Sequence, residues 1–207
     1  LYLGRLTQKA PKVEHGVLQQ DAAIQQLAGW LDEKSLKEAA DVARLSAKLS
    51  NLGYETELSG PVGERNLYAM HPRGTILLVP QTTQGLFTQL AAALATGNSV
   101  VIDRASGLER ELSGLPATVA ARIVWSDDWA ASGPYAGALV EGDVERVRAV
   151  NALVSDIPGP LVLMQAAGRD AFMEGAQPYN LNWLLDEVSV SVNTTAAGGN
   201  ASLMSIG

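Results

Sequence analysis

Few side chains in this 207-residue sequence are spaced for chemistry. Its two histidines, His15 and His71, stand far apart, one in a polar link and the other beside Pro72. A metal site needs more convergent donors than these, so both read as turn or surface histidines. Asp32-Glu33 and Asp127-Asp128 are adjacent acids at predicted loop positions. General acid–base work would require one of a pair to face a substrate; solvated faces or caps account for them more simply. Trp125 and Trp129 are spaced for an aromatic platform, or for core and rim packing. Gly198-Gly199 follows the last predicted strand instead of joining a strand to a helix, which is the context a phosphate loop requires. Neither G-x-G-x-x-G nor G-x-x-x-x-G-K-S/T occurs. The absence of cysteine removes thiolate catalysis, thiolate metal ligands and disulfides, and is consistent with a cytoplasmic setting. No nucleophile, base and orienting group stand together. Read from its residues alone, the sequence shows no active site.

Composition narrows the partners. A formal charge of −7 and the lack of any basic run argue against nucleic acid or an anionic membrane surface. No apolar stretch approaches the length of a bilayer span, so no direct membrane insertion is expected. At 47% hydrophobic residues the chain has ample material for a core.

The elements that would position any site read as follows. Leu1 to Leu6 resembles a strand already under way, so the chain is expected to continue from something upstream, with residues 1–16 a strand and linker. Two helices follow. One spans about Val17 to Leu31 with Ile24, Leu27, Ala28 and Leu31 on one face. The other opens on a capping box, Ser35 to Glu38, and is stopped by Gly53. Tyr54 to Pro72 alternates around turn signals and predicts a hairpin. Thr75 to Val79 is a continuous apolar run, as in a strand buried on both faces. A helix through Leu86 to Ala95, a cap at Gly97 and a strand at Ser99 to Ile102 complete a right-handed βαβ unit. Arg122 to Trp125 and Ala138 to Val140 predict further strands. Asp143 caps a helix with Val144, Val147, Val150, Val154 and Ile157 facing inward. Leu161 to Met164 predicts one more strand. A short helix near Leu181 to Leu185 leads into the period-2 run from Glu187 to Val192. The expected fold is α/β and Rossmann-like, with a mostly parallel sheet and an antiparallel flap.

The last fifteen residues, Asn193 to Gly207, form an extended tail of small and uncharged side chains. Asn193, Thr194, Thr195, Gly198, Gly199 and Asn200 suit close backbone approach and hydrogen bonding. Leu203, Met204 and Ile206 suit apolar pockets. Such a tail fits a groove better than it fits water.

Leu90 to Val101, ending Ala-Thr-Gly-Asn-Ser-Val-Val, resembles the "PALAAGNTVV" stretch of the nicotinamide-binding half of aldehyde dehydrogenases. The family follows it with a Lys-Pro whose lysine holds the cofactor's ribose; here Asp103 takes that place. The family's Trp-Asn after the first strand corresponds to Pro80-Gln81-Thr82-Thr83. Leu139 to Val147 is similar to the "FTGSxxxG" turn, retaining Gly142, placing Val147 at the second glycine, and adding Glu141 and Asp143 at the helix start. Those carboxylates would stabilise the helix and repel the anion it once bound. Leu163 to Ala167 corresponds to "LELGG", with Met164 where the general base would stand. The resemblance implies the fold without its chemistry, hence no catalytic residue, no cofactor and no metal in this chain, with Asp103, Gly142, Asp143, Val147 and Met164 as degenerate cofactor positions.

The two ends are more specific. Leu1-Tyr2-Leu3 resembles the segment after the "GPKAGGP" close of a bacterial glutamate-semialdehyde dehydrogenase module. Leu181 to Gly207 resembles the extreme C-terminus of long-form proline utilization A, as does Gly137 to Gln165. In that family one polypeptide joins an FAD-dependent proline dehydrogenase to an NAD-dependent glutamate-semialdehyde dehydrogenase through an internal channel, in a cytoplasmic enzyme that can sit peripherally at the membrane. The resemblance implies a non-catalytic domain at 17–186, followed by a flap strand and tail at 187–207. Its partner would be the upstream dehydrogenase module, whose channel the tail helps close. An oligomerisation arm and a weak nucleotide-binding regulatory domain remain the alternative roles.

Overall fold

In a computed structural model the described residues are 21–60, 63–172 and 176–193. Helix α1 (Ala22–Glu33) begins where the Asp21 carboxylate accepts from Ala23 N at 2.7 Å, and buries Ala23, Ile24, Leu27, Trp30 and Leu31. Val17 and the three residues after it lie outside the described residues. Helix α2 (Lys37–Leu49) carries no side-chain cap, which corrects the expected capping box. Ser35 instead has φ +62° and closes the end of α1, with Leu36 N donating to Leu31 O at 2.9 Å. So few residues separate the helices that Ser35 serves the first one's exit and is unavailable to the second's entry. α2 also ends at Leu49, before Gly53, which lies at φ +74° in the turn leading to the next strand.

Strands β1 (Glu55–Leu58) and β2 (Glu64–Pro72) form the hairpin, and β8 (Leu185–Asn193) adds antiparallel to β2. This three-stranded flap lies beside a five-stranded parallel sheet of β3 (Thr75–Val79), β4 (Ser99–Asp103), β5 (Ile123–Ser126), β6 (Gly137–Glu141) and β7 (Leu163–Ala167). The parallel order is β5-β4-β3-β6-β7. Alternation along β3 sends Ile76 and Leu78 into one apolar cluster and Leu77 and Val79 into the other. The first cluster is built with α1, α2 and α3 (Thr83–Ala95), the second with α5 (Val144–Ser155); the short α4 (Ala117–Ala120) precedes β5. Both faces are therefore covered, as the apolar runs require.

Helix α3 is buried from Gly85 to Ala95. Leu86, Leu90 and Leu94, spaced one turn apart, are each almost wholly enclosed, and each contributes about 1.5–3 kcal/mol by leaving water. Two expectations of burial shift, one in a helix and one in a strand. Val144 is 65% exposed, because it opens α5 on the solvent side, whereas Val150 and Val154 face the sheet. Leu161 is 94% exposed and β7 runs from Leu163, since the Pro158–Pro160 turn leaves Leu161 short of the sheet. Asp32 and Glu33 also lie in the last turn of α1 and not in a loop, with Asp32 paired to Arg44.

Candidate functional site

The chain winds outward from β3 to β4 and β5 in one direction, and from β6 to β7 in the other. The crevice between the carboxyl ends of β3 and β6 is thus the topological switch point, the place where open α/β sheets hold ligands. Its walls are the Pro80–Thr82 loop entering α3 and the Glu141–Asp143 loop entering α5.

The chain fills this crevice itself. Glu141 ends β6 with no solvent exposure. Its Oε2 accepts from Gln81 N at 2.7 Å and Thr82 N at 2.8 Å, and its Oε1 accepts from Thr82 Oγ1 at 2.7 Å. Thr82 in turn caps α3 by accepting from Gly85 N at 3.0 Å. The carboxylate thus rests on the positive end of a helix that is buried from Gly85 onward. A Cβ added at Gly85 would fall 1.9 Å from Glu141 Oε2, so glycine is required for the carboxylate to lie there.

The second helix entrance is occupied as well. Asp143 accepts from Arg146 N at 2.9 Å and caps α5. Arg146 folds back, donating from Nε to Glu141 O at 3.1 Å, with Nη2 3.5 Å from Pro80 O. Its aliphatic stem covers Gly142, where a Cβ would lie 2.6 Å from Arg146 Cδ. From the other side Tyr179, buried, donates to Val140 O at 3.2 Å and accepts from Gln89 Nε2 at 3.0 Å. Burial pushes its phenol well above the ordinary tyrosine range; Gln89 opposes this and the Glu141 charge adds to it. Gln165 on β7 holds the Tyr179 segment in place, accepting from Asn180 N at 2.7 Å and donating to Asn180 O at 3.1 Å.

The other sequence candidates are dispersed. Asp103 is buried at the end of β4, where it accepts from Ala105 N at 3.0 Å and caps a single 3-10 turn. Val147 and Met164 pack against the apolar cluster under α5. Asp127 pairs with Arg104 at 3.1 Å, and Asp128 caps the turn that holds buried Trp129. Trp125 lines an open groove of about 590 Å³ beside β5, two strands from the switch point. His71 is exposed on β2, and His15 lies outside the described residues. Among the described residues no three His, Asp or Glu converge on one point. No described helix is long and apolar enough to cross a membrane. Of the tail residues, Asn193 ends β8 opposite Glu64; Thr194, Thr195, Gly198, Gly199, Asn200, Leu203, Met204 and Ile206 lie outside the described residues.

By sequence, Glu141 stands at the start of α5. Its carboxylate instead reaches α3, some sixty residues back in the chain. The signals for this are Thr82 and Gly85, which mark a helix entrance able to accept a foreign carboxylate. Connecting them to Glu141 requires knowing that β3 and β6 are neighbours.

No protein-family model matches the chain. It is 57% identical over 208 residues to the bifunctional protein PutA of Rhizobium meliloti, an alignment taking in 100% of this chain and 17% of that protein. The PutA of Salmonella typhimurium is 35% identical over 188 residues, 90% of this chain and 14% of that protein. The sequence belongs with the PutA proteins. It spans less than a fifth of the length of these PutA relatives. A solved proline utilization A from Bradyrhizobium japonicum matches 71% of the chain with a TM-score of 0.53 and 26% identity, covering 19% of that PutA chain. Substrate-bound AldH of Staphylococcus aureus matches 70% of the chain at a TM-score of 0.52 and 14% identity, covering 40% of that protein, and so shares the fold.

Proposed function

We propose that this chain is a non-catalytic region of a PutA-type polypeptide that packs on a glutamate-semialdehyde dehydrogenase module, supports its active site and helps close its substrate channel. The parent enzyme would oxidise proline to glutamate, using FAD for the first oxidation and NAD for the second. The observation that carries this reading is the self-filled switch point. The amides and hydroxyl that could meet a pyrophosphate are already engaged by Glu141, and Asp143 and Arg146 occupy the neighbouring helix entrance. A dinucleotide, dianionic at its centre, does not fit a corner that already holds a buried carboxylate. The degenerate positions Asp103, Gly142, Asp143, Val147 and Met164 serve local caps and packing in this reading, and no residue of the chain takes a catalytic part.

The flap supports a packing role. Val190 and Val192 are 47% and 45% exposed, and with Val188, Leu67 and Ala69 they form an apolar strip on a face of the sheet that also carries Arg65, Glu57 and Glu55. In this reading the exposed valine strip, bordered by these charges, is the part of the flap that is covered in the working assembly. The tail from Asn193 to Ile206 follows this strand directly and would extend the same contact onto the dehydrogenase module.

Deleting Asn193–Gly207 from the full polypeptide tests the proposal. Aldehyde oxidation and channelling should fall while flavin-dependent proline oxidation is kept, read by steady-state kinetics of both half-reactions and by the lag in a coupled assay. Unchanged aldehyde oxidation with no lag would refute the cover role. Calorimetric titration of the chain with NAD tests the non-binding part; a Kd tighter than about 1 mM, roughly 4 kcal/mol, would overturn it. The same valine face favours a second reading, an oligomerisation arm, which light scattering of full-length protein carrying Val190→Lys would detect as a change in mass.

A further inference from the structure

We infer that the crevice between β3 and β6 is an anion pocket whose ligand is built into the chain: Glu141 occupies it in cis, where a free carboxylate or phosphate would otherwise bind. The inference rests on the reading of this crevice as closed, and is independent of what the chain packs against.

Three observations combine. The donors converge: two consecutive amides, Gln81 and Thr82, and the Thr82 hydroxyl point at one carboxylate. The occupant is foreign to the helix it caps, because Thr82 already supplies the helix's own cap through Gly85 N. Glu141 comes from a different strand and is wholly buried, so the carboxylate is an addition to a helix entrance already capped. Finally, the floor is cut to the ligand, since even a methyl group at Gly85 would collide with the carboxylate oxygen. Burying a charge this deeply is costly unless hydrogen bonds replace its hydration, and here they do so from both oxygens.

The consequence is specific. Removing the Glu141 side chain beyond Cβ leaves a cavity of carboxylate size facing two amide donors and a hydroxyl. A small oxyanion such as formate is the chemical class that fits it. With Glu141 in place the pocket is closed to free anions.

The test compares the full chain with its Glu141→Ala and Glu141→Gln variants in chloride, formate and inorganic phosphate. The readouts are thermal melting and amide exchange at Gln81 and Thr82. In chloride, Glu141→Ala should melt lower and exchange these two amides roughly ten- to a hundredfold faster, the range for losing a charged hydrogen bond. Formate should reverse both changes saturably in Glu141→Ala and leave the parent chain unaffected. Glu141→Gln, which keeps the shape and fills the cavity, should lose less and gain nothing from formate. Phosphate distinguishes the two oxyanion types: rescue by formate alone assigns a carboxylate-sized pocket, and rescue by both assigns a general oxyanion pocket. If Glu141→Ala is recovered only unfolded, refolding in formate against chloride becomes the readout. Recovery in formate supports the pocket, and failure in both overturns it. Unchanged exchange at Gln81 and Thr82, or equal formate stabilisation of parent and variant, also overturns it. NAD binding by the parent chain would refute the functional reading above, whereas lost rescue refutes only the pocket.

Discussion

Asn98 joins three parts of the fold with one side chain, and its removal is the sharpest test of how the flap is attached. It is 1% exposed. Its Oδ1 accepts from Gly74 N at 2.7 Å, and its Nδ2 donates to Thr96 Oγ1 and to Leu184 O, each at 2.8 Å. Gly74 precedes β3, Thr96 ends α3, and Leu184 precedes β8. Replacing Asn98 by alanine withdraws the partner of a backbone N–H and of a backbone carbonyl. Thr96 loses least, since its hydroxyl still donates to Ala92 O and Ala93 O. The orphaned Leu184 carbonyl is buried and costs about 1–3 kcal/mol, whereas Gly74 is exposed and its lost bond costs about 0.5–1.5 kcal/mol, for a loss of about 1.5–4.5 kcal/mol. That is a large part of the about 5–15 kcal/mol typical of a folded protein. Urea denaturation of Asn98→Ala should show a lower midpoint at unchanged m-value, and amide exchange should rise first along β8. Asn98→Asp keeps the acceptor for Gly74 but sets a carboxylate against Leu184 O, so it should be no better than alanine. A midpoint shift worth less than about 0.5 kcal/mol, the range of ordinary surface substitutions, would refute the argument.

Gly97→Ala should lower Tm by several degrees, because φ is +73° and the new Cβ would lie 2.9 Å from Pro72 Cγ and 3.1 Å from Leu52 Cδ2. The strain and the clash together cost about 2–4 kcal/mol, and a Tm within one degree of the parent would contradict this. Tyr179→Phe should cost about 1–2 kcal/mol at neutral pH through the lost bonds to Val140 O and Gln89. Its effect on pH dependence has a definite sign. Burial raises the folded phenol's pKa above the unfolded value of 10.0, so the parent keeps its stability below that value and loses it as pH rises beyond. The phenylalanine variant should therefore show a shallower decline of Tm between pH 9 and 11, and parallel curves would count against the assignment.

The central βαβ unit was legible because its determinants are local. The run from Ile76 to Val79, the mostly apolar α3 and the Gly97 turn each state their role within a few residues. The hairpin was legible for the same reason. The misreadings occur where two elements compete for one residue or where burial depends on a distant partner. Ser35 has the composition of an N-cap, yet the tight α1–α2 connection assigns it to the exit of α1. Leu161 has the hydrophobicity of a strand residue, but the preceding Pro158-Gly159-Pro160 turn brings the chain to the sheet two residues later. The least legible part was the switch point. That Glu141 is an acid near a helix start is local information. That it serves the helix of another βα unit depends on strand order, which no single segment carries.

The pairing of β2 with β8 has a kinetic consequence. Every rung joins residues more than a hundred positions apart, so the flap can close only after nearly the whole described chain is present. Closing so long a loop costs entropy before any rung compensates it, and contacts of this kind slow folding. The β1–β2 hairpin must wait, with one side of β2 unpaired while the parallel sheet assembles. During that interval the nascent polypeptide carries a bare strand edge, open to pairing with another chain. Arg65 on β2 and its ion-pair partner Glu57 on β1, 3.0 Å apart, place charge on that waiting hairpin. Charges at such positions disfavour edge-to-edge association until β8 arrives.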